Sequence, residues 1–116
     1  MSANPIIEGR AYLYNFDFLR FRGHAEETIR PVNLFQCQGV CWKAKFAGTI
    51  RLYVNGKEIF SGVMDCGADA HCFLTPFRIN GDDEVCILVT DTEPRWFRWF
   101  RPNMAHVTLE GLECEP

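Results

Sequence analysis

Asn55-Gly56, set between two runs of alternating apolar and polar residues, is the feature that most limits what this chain can become. A type I′ two-residue turn needs positive φ at both central positions, and Asn-Gly is a pair that tolerates it. The runs on either side, together spanning Thr49–Val63, repeat with period two, as half-buried strands do. The expected register pairs Val54 with Lys57, Tyr53 with Glu58, Leu52 with Ile59 and Arg51 with Phe60. Ile50, Leu52, Val54 and Ile59 then share the buried face. Arg51 over Phe60 makes an exposed cation–π pair, worth roughly 0.5–1 kcal/mol.

The same period runs through most of the chain. Ala11–Phe18 places Tyr12, Tyr14, Phe16 and Phe18 on one side and Leu13, Asn15 and Asp17 on the other. The phase flips after Phe18, where Leu19 and Phe21 become the apolar positions, so a β-bulge in one long bent strand is expected. Ile29–Phe35 and Cys41–Phe46 read as weaker strands flanking a loop at Gln36–Val40. Phe73–Ile79 points Phe73, Thr75, Phe77 and Ile79 inward, and Pro76 confines it to an edge. Asn80-Gly81-Asp82-Asp83 is a turn, Glu84–Thr90 follows with Val85, Ile87 and Val89 on one face, and His106–Leu112 closes the series.

About eight short strands divided by Gly, Asn and Asp turns predict an all-β fold, a single-domain antiparallel β-sandwich of jelly-roll type. At 116 residues the chain suits one core rather than two. We expect one domain over residues 1–116, with 1–10 as an extended N-terminal arm. With 47% hydrophobic and 23% charged residues, it is neither a disordered nor a membrane-spanning composition. The start, Met1 to Pro5, lacks the basic and continuous apolar regions of a secretory signal, so cytoplasmic synthesis is expected.

The succession Ile50-Arg51-Leu52-Tyr53-Val54-Asn55-Gly56-Lys57-Glu58-Ile59, then Thr75-Pro76-Phe77-Arg78-Ile79, then Gly81-Asp82 and Val85–Asp91, resembles the galactose-binding-like jelly-roll domains. These include the sugar-binding-like domain of some glycoside hydrolases, and the resemblance spans roughly residues 32–91. It implies a jelly-roll fold more than a function, since members of the family bind sugars, other proteins or nothing known. The family's binding residues lie on variable loops, and none carries over to a position of this sequence.

Six cysteines leave three readings open: buried structural thiols, a disulfide such as Cys66–Cys72, or a zinc site. Cys37 and Cys41 are the ends of a turn-rich pentapeptide, and Cys66, His71 and Cys72 supply a second candidate half-site. Cys86, inside a dense apolar run, reads as a small buried hydrophobe. Asp82-Asp83-Glu84 lacks the alternating oxygen ligands of a calcium loop and reads as a polar turn. The chain has no phosphate-binding glycine loop, Ser elbow or His-Glu-x-x-His motif, so catalysis is not expected and no cofactor is assigned.

Arg95-Trp96-Phe97-Arg98-Trp99-Phe100-Arg101, bracketed by Pro94 and Pro102, is the most unusual stretch. On a helix the arginines fall on one side and the rings on the other, so a two-turn amphipathic helix near residues 93–101 is expected. The rings either plug an open end of the sandwich or form a recognition site. Trp and Arg dominate interface hot spots, and arginines hold carboxylates bidentately. Arg95, Trp96, Arg98, Trp99 and Arg101 are therefore the candidate partner-binding residues. A net charge of −3 argues against broad nucleic-acid binding, and two helical turns bury too little for a membrane.

The resulting expectation is a non-catalytic protein–protein interaction or assembly module. A small structural subunit of a larger particle, of virion or appendage type, and an inhibitor docking on a host protein both fit it. Its partner would be a protein with an acidic surface or further copies of itself. Carbohydrate binding is the alternative, and a small zinc-binding protein the second alternative.

Overall fold

Among the described residues, period-two alternation resolves into eight antiparallel strands: β1 (Arg10–Leu19), β2 (His24–Ile29), β3 (Leu34–Ala44), β4 (Gly48–Val54), β5 (Lys57–Met64), β6 (Asp69–Ile79), β7 (Val85–Asp91) and β8 (Met104–Cys114). A single helical turn, α1 (Phe97–Phe100), lies between β7 and β8. The computed structural model describes residues 9–67, 69–94, 96–100 and 102–114, apart from the side chains of Phe73, Phe97 and Arg98.

The strands form two four-stranded sheets, ordered β1-β8-β3-β6 and β2-β7-β4-β5. β1 pairs with β8, β2 with β7, β3 with β6 and β4 with β5. The chain is thus one long hairpin, with Asn55-Gly56 at its tip, rolled into a jelly-roll sandwich. Asn55 (φ 51°) and Gly56 (φ 81°) take the left-handed values that the turn requires.

The inward faces meet in a core that includes Phe16, Phe35, Trp42, Ile50, Ile87 and Leu109. Trp42 packs on Phe60 of the opposite sheet, with ring centroids 5.7 Å apart. Phe35 meets Tyr14 edge-on at 4.9 Å. Along β7, Val85, Ile87 and Val89 are buried as the alternation requires. β6 is an edge strand, which accommodates Pro76.

Several local expectations are corrected. Leu19 ends β1 rather than continuing through a bulge; Arg20 turns at φ 53°, and β2 begins in the other sheet. The phase flip after Phe18 therefore marks the passage between sheets. Arg10, expected at the end of the arm, lies within β1 opposite Glu113; residues 1–8 of the expected arm lie outside the described residues. Gln36–Val40 is not a loop but the middle of β3, and the expected strand at Ile29–Phe35 straddles the end of β2 and the start of β3.

The hairpin register holds only at its tip. Tyr53 faces Glu58, but a bulge then places Leu52 opposite Phe60 and Arg51 opposite Ser61. Ile59 is displaced from the core, at 38% exposure. Phe60 turns inward onto Trp42, and Arg51 instead approaches Glu58 at 3.6 Å. On β6 the alternation also breaks. Cys72 and Leu74 pack on the core before Pro76, Phe77 and Ile79 after it, while Thr75 is exposed. Cys86 lies between the inward valines of β7 and is only half-buried. Of the two-turn helix expected near residues 93–101, the described part is one turn, Phe97–Phe100, and residues 95 and 101 lie outside the described residues.

Candidate functional site

Two surfaces gather the chemistry this chain offers. The first is the β7–β8 connection. Its entry is fastened by Thr92, whose N–H and hydroxyl both donate to the Ala47 carbonyl at 3.0 and 3.1 Å. Glu93 accepts the Ala47 N–H at 3.1 Å. At the exit, Asn103 is 2% exposed, the one buried polar residue among those described. Its amide oxygen accepts the Phe21 N–H at 2.9 Å, and its amide nitrogen donates to the Phe21 carbonyl at 2.8 Å and to Asp91 at 3.1 Å.

With both ends tied, the turn between them projects outward. Trp96, Trp99 and Phe100 are 54%, 87% and 79% exposed. The Trp99 N–H donates to the Trp96 carbonyl at 3.1 Å, which closes the turn. Trp96 and Phe100 stand nearly perpendicular, at 88° with centroids 6.1 Å apart. Beneath them an open cleft of about 1140 Å³ is lined by these rings together with Arg20, Arg22, Asp91 and Glu93. Trp96, Trp99 and Phe100 thus do not plug the sandwich end. Arg95 and Arg101 lie outside the described residues, and Arg98 is placed only by its backbone in α1.

The second surface is the outer face of the β1-β8-β3-β6 sheet, where polar side chains stand across four strands. His106 Nδ1 meets Asp17 at 2.5 Å, and the Thr108 hydroxyl donates to Asn15 at 2.9 Å. Lys43 lies 3.9 Å from Asp69. Beside them, Glu110 Oε1 accepts the Cys41 thiol at 2.5 Å and lies 2.6 Å from His71 Nε2. The ligand atoms of Cys41, His71 and Glu110 all lie within 4.8 Å of one another. They line a shallow depression of about 510 Å³ together with His106, Thr108 and Lys43.

Strand register explains why Cys41 faces this way and Cys37 does not. Simple alternation would put Cys37, Gly39 and Cys41 on one face. A bulge lies between Cys37 and Gly39, where both neighbouring strands shift register. It turns Cys37 into the core with Val40 and Trp42 and leaves Cys41, opposite His71, on the outer face. Burial pushes the Cys37 thiol up to about 11. Cys41 is pushed up to about 12, first by desolvation and then by the Glu110 carboxylate, which holds its proton.

Of the five residues expected to form a zinc site, only Cys41 and His71 come together with a third donor. Cys37 is buried, Cys66 is exposed in the β5–β6 turn, and Cys72 packs against the core. Among the described residues the structure joins no two cysteines by a disulfide, Cys66 and Cys72 included. Glu110 escaped the sequence reading because its place beside Cys41 depends on pairing two strands far apart in the chain. The signal it did leave is the polar alternation His106, Thr108, Glu110.

No family model matches the chain, and no curated protein matches it. Among solved structures, it is similar to the CBM36-1 domain of a multidomain xylanase from the hindgut metagenome of Trinervitermes trinervoides, with a TM-score of 0.50 at 6% identity. That match covers 86% of this chain and 96% of the domain. A second match, to the structure of infectious bursal disease virus Gx strain, has a TM-score of 0.42 at 13% identity. It covers 97% of this chain and 35% of the viral one. The resemblance to galactose-binding-like jelly rolls holds at the level of the fold.

Proposed function

We propose that this protein is a non-catalytic interaction or assembly module that docks through its β7–β8 turn onto an acidic protein surface. The observation that carries this reading is the exposure of Trp96, Trp99 and Phe100 on a turn anchored at both ends. Three large rings left in water forgo burial worth roughly 1.5–3 kcal/mol for a fully buried aromatic side chain, so a partner that covers them gains that energy. Anchoring matters as much as exposure, because a turn already held in place loses little entropy on binding. Arg20 and Arg22 in the adjoining cleft, with the arginines of residues 95–101 in the sequence, favour carboxylates on the partner.

The perpendicular rings form a wedge rather than a flat platform, which suits insertion between side chains better than stacking along a sugar chain. A non-catalytic role fits Cys41, whose thiol donates to a carboxylate and is held protonated rather than activated. Trp99→Ala with Phe100→Ala should weaken partner association by at least tenfold (about 1.4 kcal/mol) while leaving the melting temperature unchanged. Unchanged association would overturn the reading.

One observation favours carbohydrate as a second reading. The Trp99 ring stands open beside Asp91 and Glu93, a stacking face next to acceptors for hydroxyl groups. Titration calorimetry with soluble oligosaccharides decides it, since binding lost in Trp99→Ala would move the assignment to a sugar.

A further inference from the structure

We propose that Cys41 Sγ, His71 Nε2 and Glu110 Oε1 bind one zinc-class transition-metal ion on the outer face of the β1-β8-β3-β6 sheet. Thiolate, imidazole and carboxylate are the three side-chain donor types that zinc takes. Here they arrive from three adjacent strands, β3, β6 and β8, and converge within 4.8 Å. The thiolate and carboxylate supply two negative charges to a dication. Three protein ligands leave one tetrahedral position, facing solvent, for water or an incoming ligand.

The backbone around the cluster is shaped for convergence. Gly39 sits opposite Glu110 on one side and two residues before Cys41, the partner of His71, on the other. A Cβ at Gly39 would stand 3.4 Å from His71 Nε2 and 3.8 Å from Glu110 Oε1. The missing side chain thus opens the hollow into which both donors lean, and the residue needs no left-handed φ to explain it. Glu110 Oε1 takes the thiol hydrogen bond and the imidazole contact on one oxygen, so Cys41 Sγ and His71 Nε2 already face a single point. Tetrahedral zinc would spread these atoms to separations of about 3.3–3.6 Å. That needs Glu110 to draw back about 1 Å from each of the other two donors, which part-exposed side chains can accommodate. Metal entry displaces the thiol proton to solvent, and the neutral imidazole binds through the Nε2 lone pair with its proton on Nδ1.

The proposal uses none of the residues of the aromatic turn and stands or falls apart from the docking reading. Its test is Co²⁺ titration of the reduced, chelator-stripped full-length protein, with Zn²⁺ competition to measure affinity. One equivalent of Co²⁺ should produce a thiolate-to-metal charge-transfer band that Zn²⁺ abolishes and that is lost in Cys41→Ser. Loss of an outer-sphere partner alone costs about 10–100-fold in metal affinity, so His71→Ala and Glu110→Gln should each weaken binding at least tenfold. Cys66→Ser should bind like the parent. Absence of the band, its survival in Cys41→Ser, or its loss in Cys66→Ser would overturn the assignment. If Cys41→Ser fails to fold, Glu110→Gln on the sheet surface decides alone: undiminished affinity refutes the site.

Discussion

Asn103 closes the base of the aromatic turn through Phe21 and Asp91, and an apolar residue cannot replace its amide. Asn103→Ala leaves a half-buried N–H and C=O of Phe21 without these partners. A cost of about 2–3 kcal/mol is expected in urea unfolding. The thiols are graded in a similar way. Cys37, buried and pushed up to about 11, carries a thiolate fraction of about one in a thousand at pH 8. Iodoacetamide should therefore label exposed Cys66 well before Cys37, read by mass spectrometry. Cys37 also bears on stability at high pH. Its folded pKa lies above the ordinary value of 9.0, so the neutral thiol's contribution is complete below about pH 9. It is lost as pH rises toward about 11, because the unfolded chain ionises first. Cys37→Ala should lose less stability than the parent between those values.

At the scale of elements, the turn chemistry and the period of two were legible, and the bulges were not. Asn55-Gly56 fixes its own turn locally, so the tip pairs Val54–Lys57 and Tyr53–Glu58 follow from two residues. The shift at Leu52 arises from what the next residues pack against: Phe60 reaches Trp42 on the opposite sheet, and Ile59 is left outside. The bulge near Gln38 is of the same kind. Three residues between two cysteines look like a ligand loop until β6 and β8 hold them in a sheet. Two of the three members of the candidate metal cluster were visible, Cys41 and His71, while Glu110 required the β3–β8 register. Close strand approach gives a further prediction. A Cβ at Gly111 would fall 2.0 Å from the Gln36 carbonyl oxygen, against backbone rather than a movable side chain. Gly111→Ala should destabilise by at least about 1–3 kcal/mol, measured by thermal or urea unfolding. Gly39→Ala meets only contacts of 3.3 Å or more and should be milder.

For the whole molecule, rolling one hairpin into two sheets separates its two ends. Asn55 holds Asp83 and Glu84 near the hairpin tip, through a 3.1 Å bond to Asp83 and the Glu84 N–H at 2.9 Å. The other end of β7 leads to the aromatic turn, about 20 Å away along a seven-residue strand. The acidic average of the chain therefore coexists with a local ring-and-arginine surface. Among the described residues no helix is long and apolar enough to cross a membrane. The jelly-roll architecture was readable from strand number and turns, whereas the exposure of the rings was not, because the same seven residues could equally have closed the core. The central claim is that the turn at Trp96–Phe100 is a docking surface for protein. It is tested most directly by placing a photo-crosslinking residue at position 99 in the native setting, with position 57 at the opposite end as control. The account predicts a discrete protein adduct at position 99, mapped to an acidic surface and diminished by high salt, and none at position 57. No adduct at position 99, or the same adducts at both positions, would contradict it.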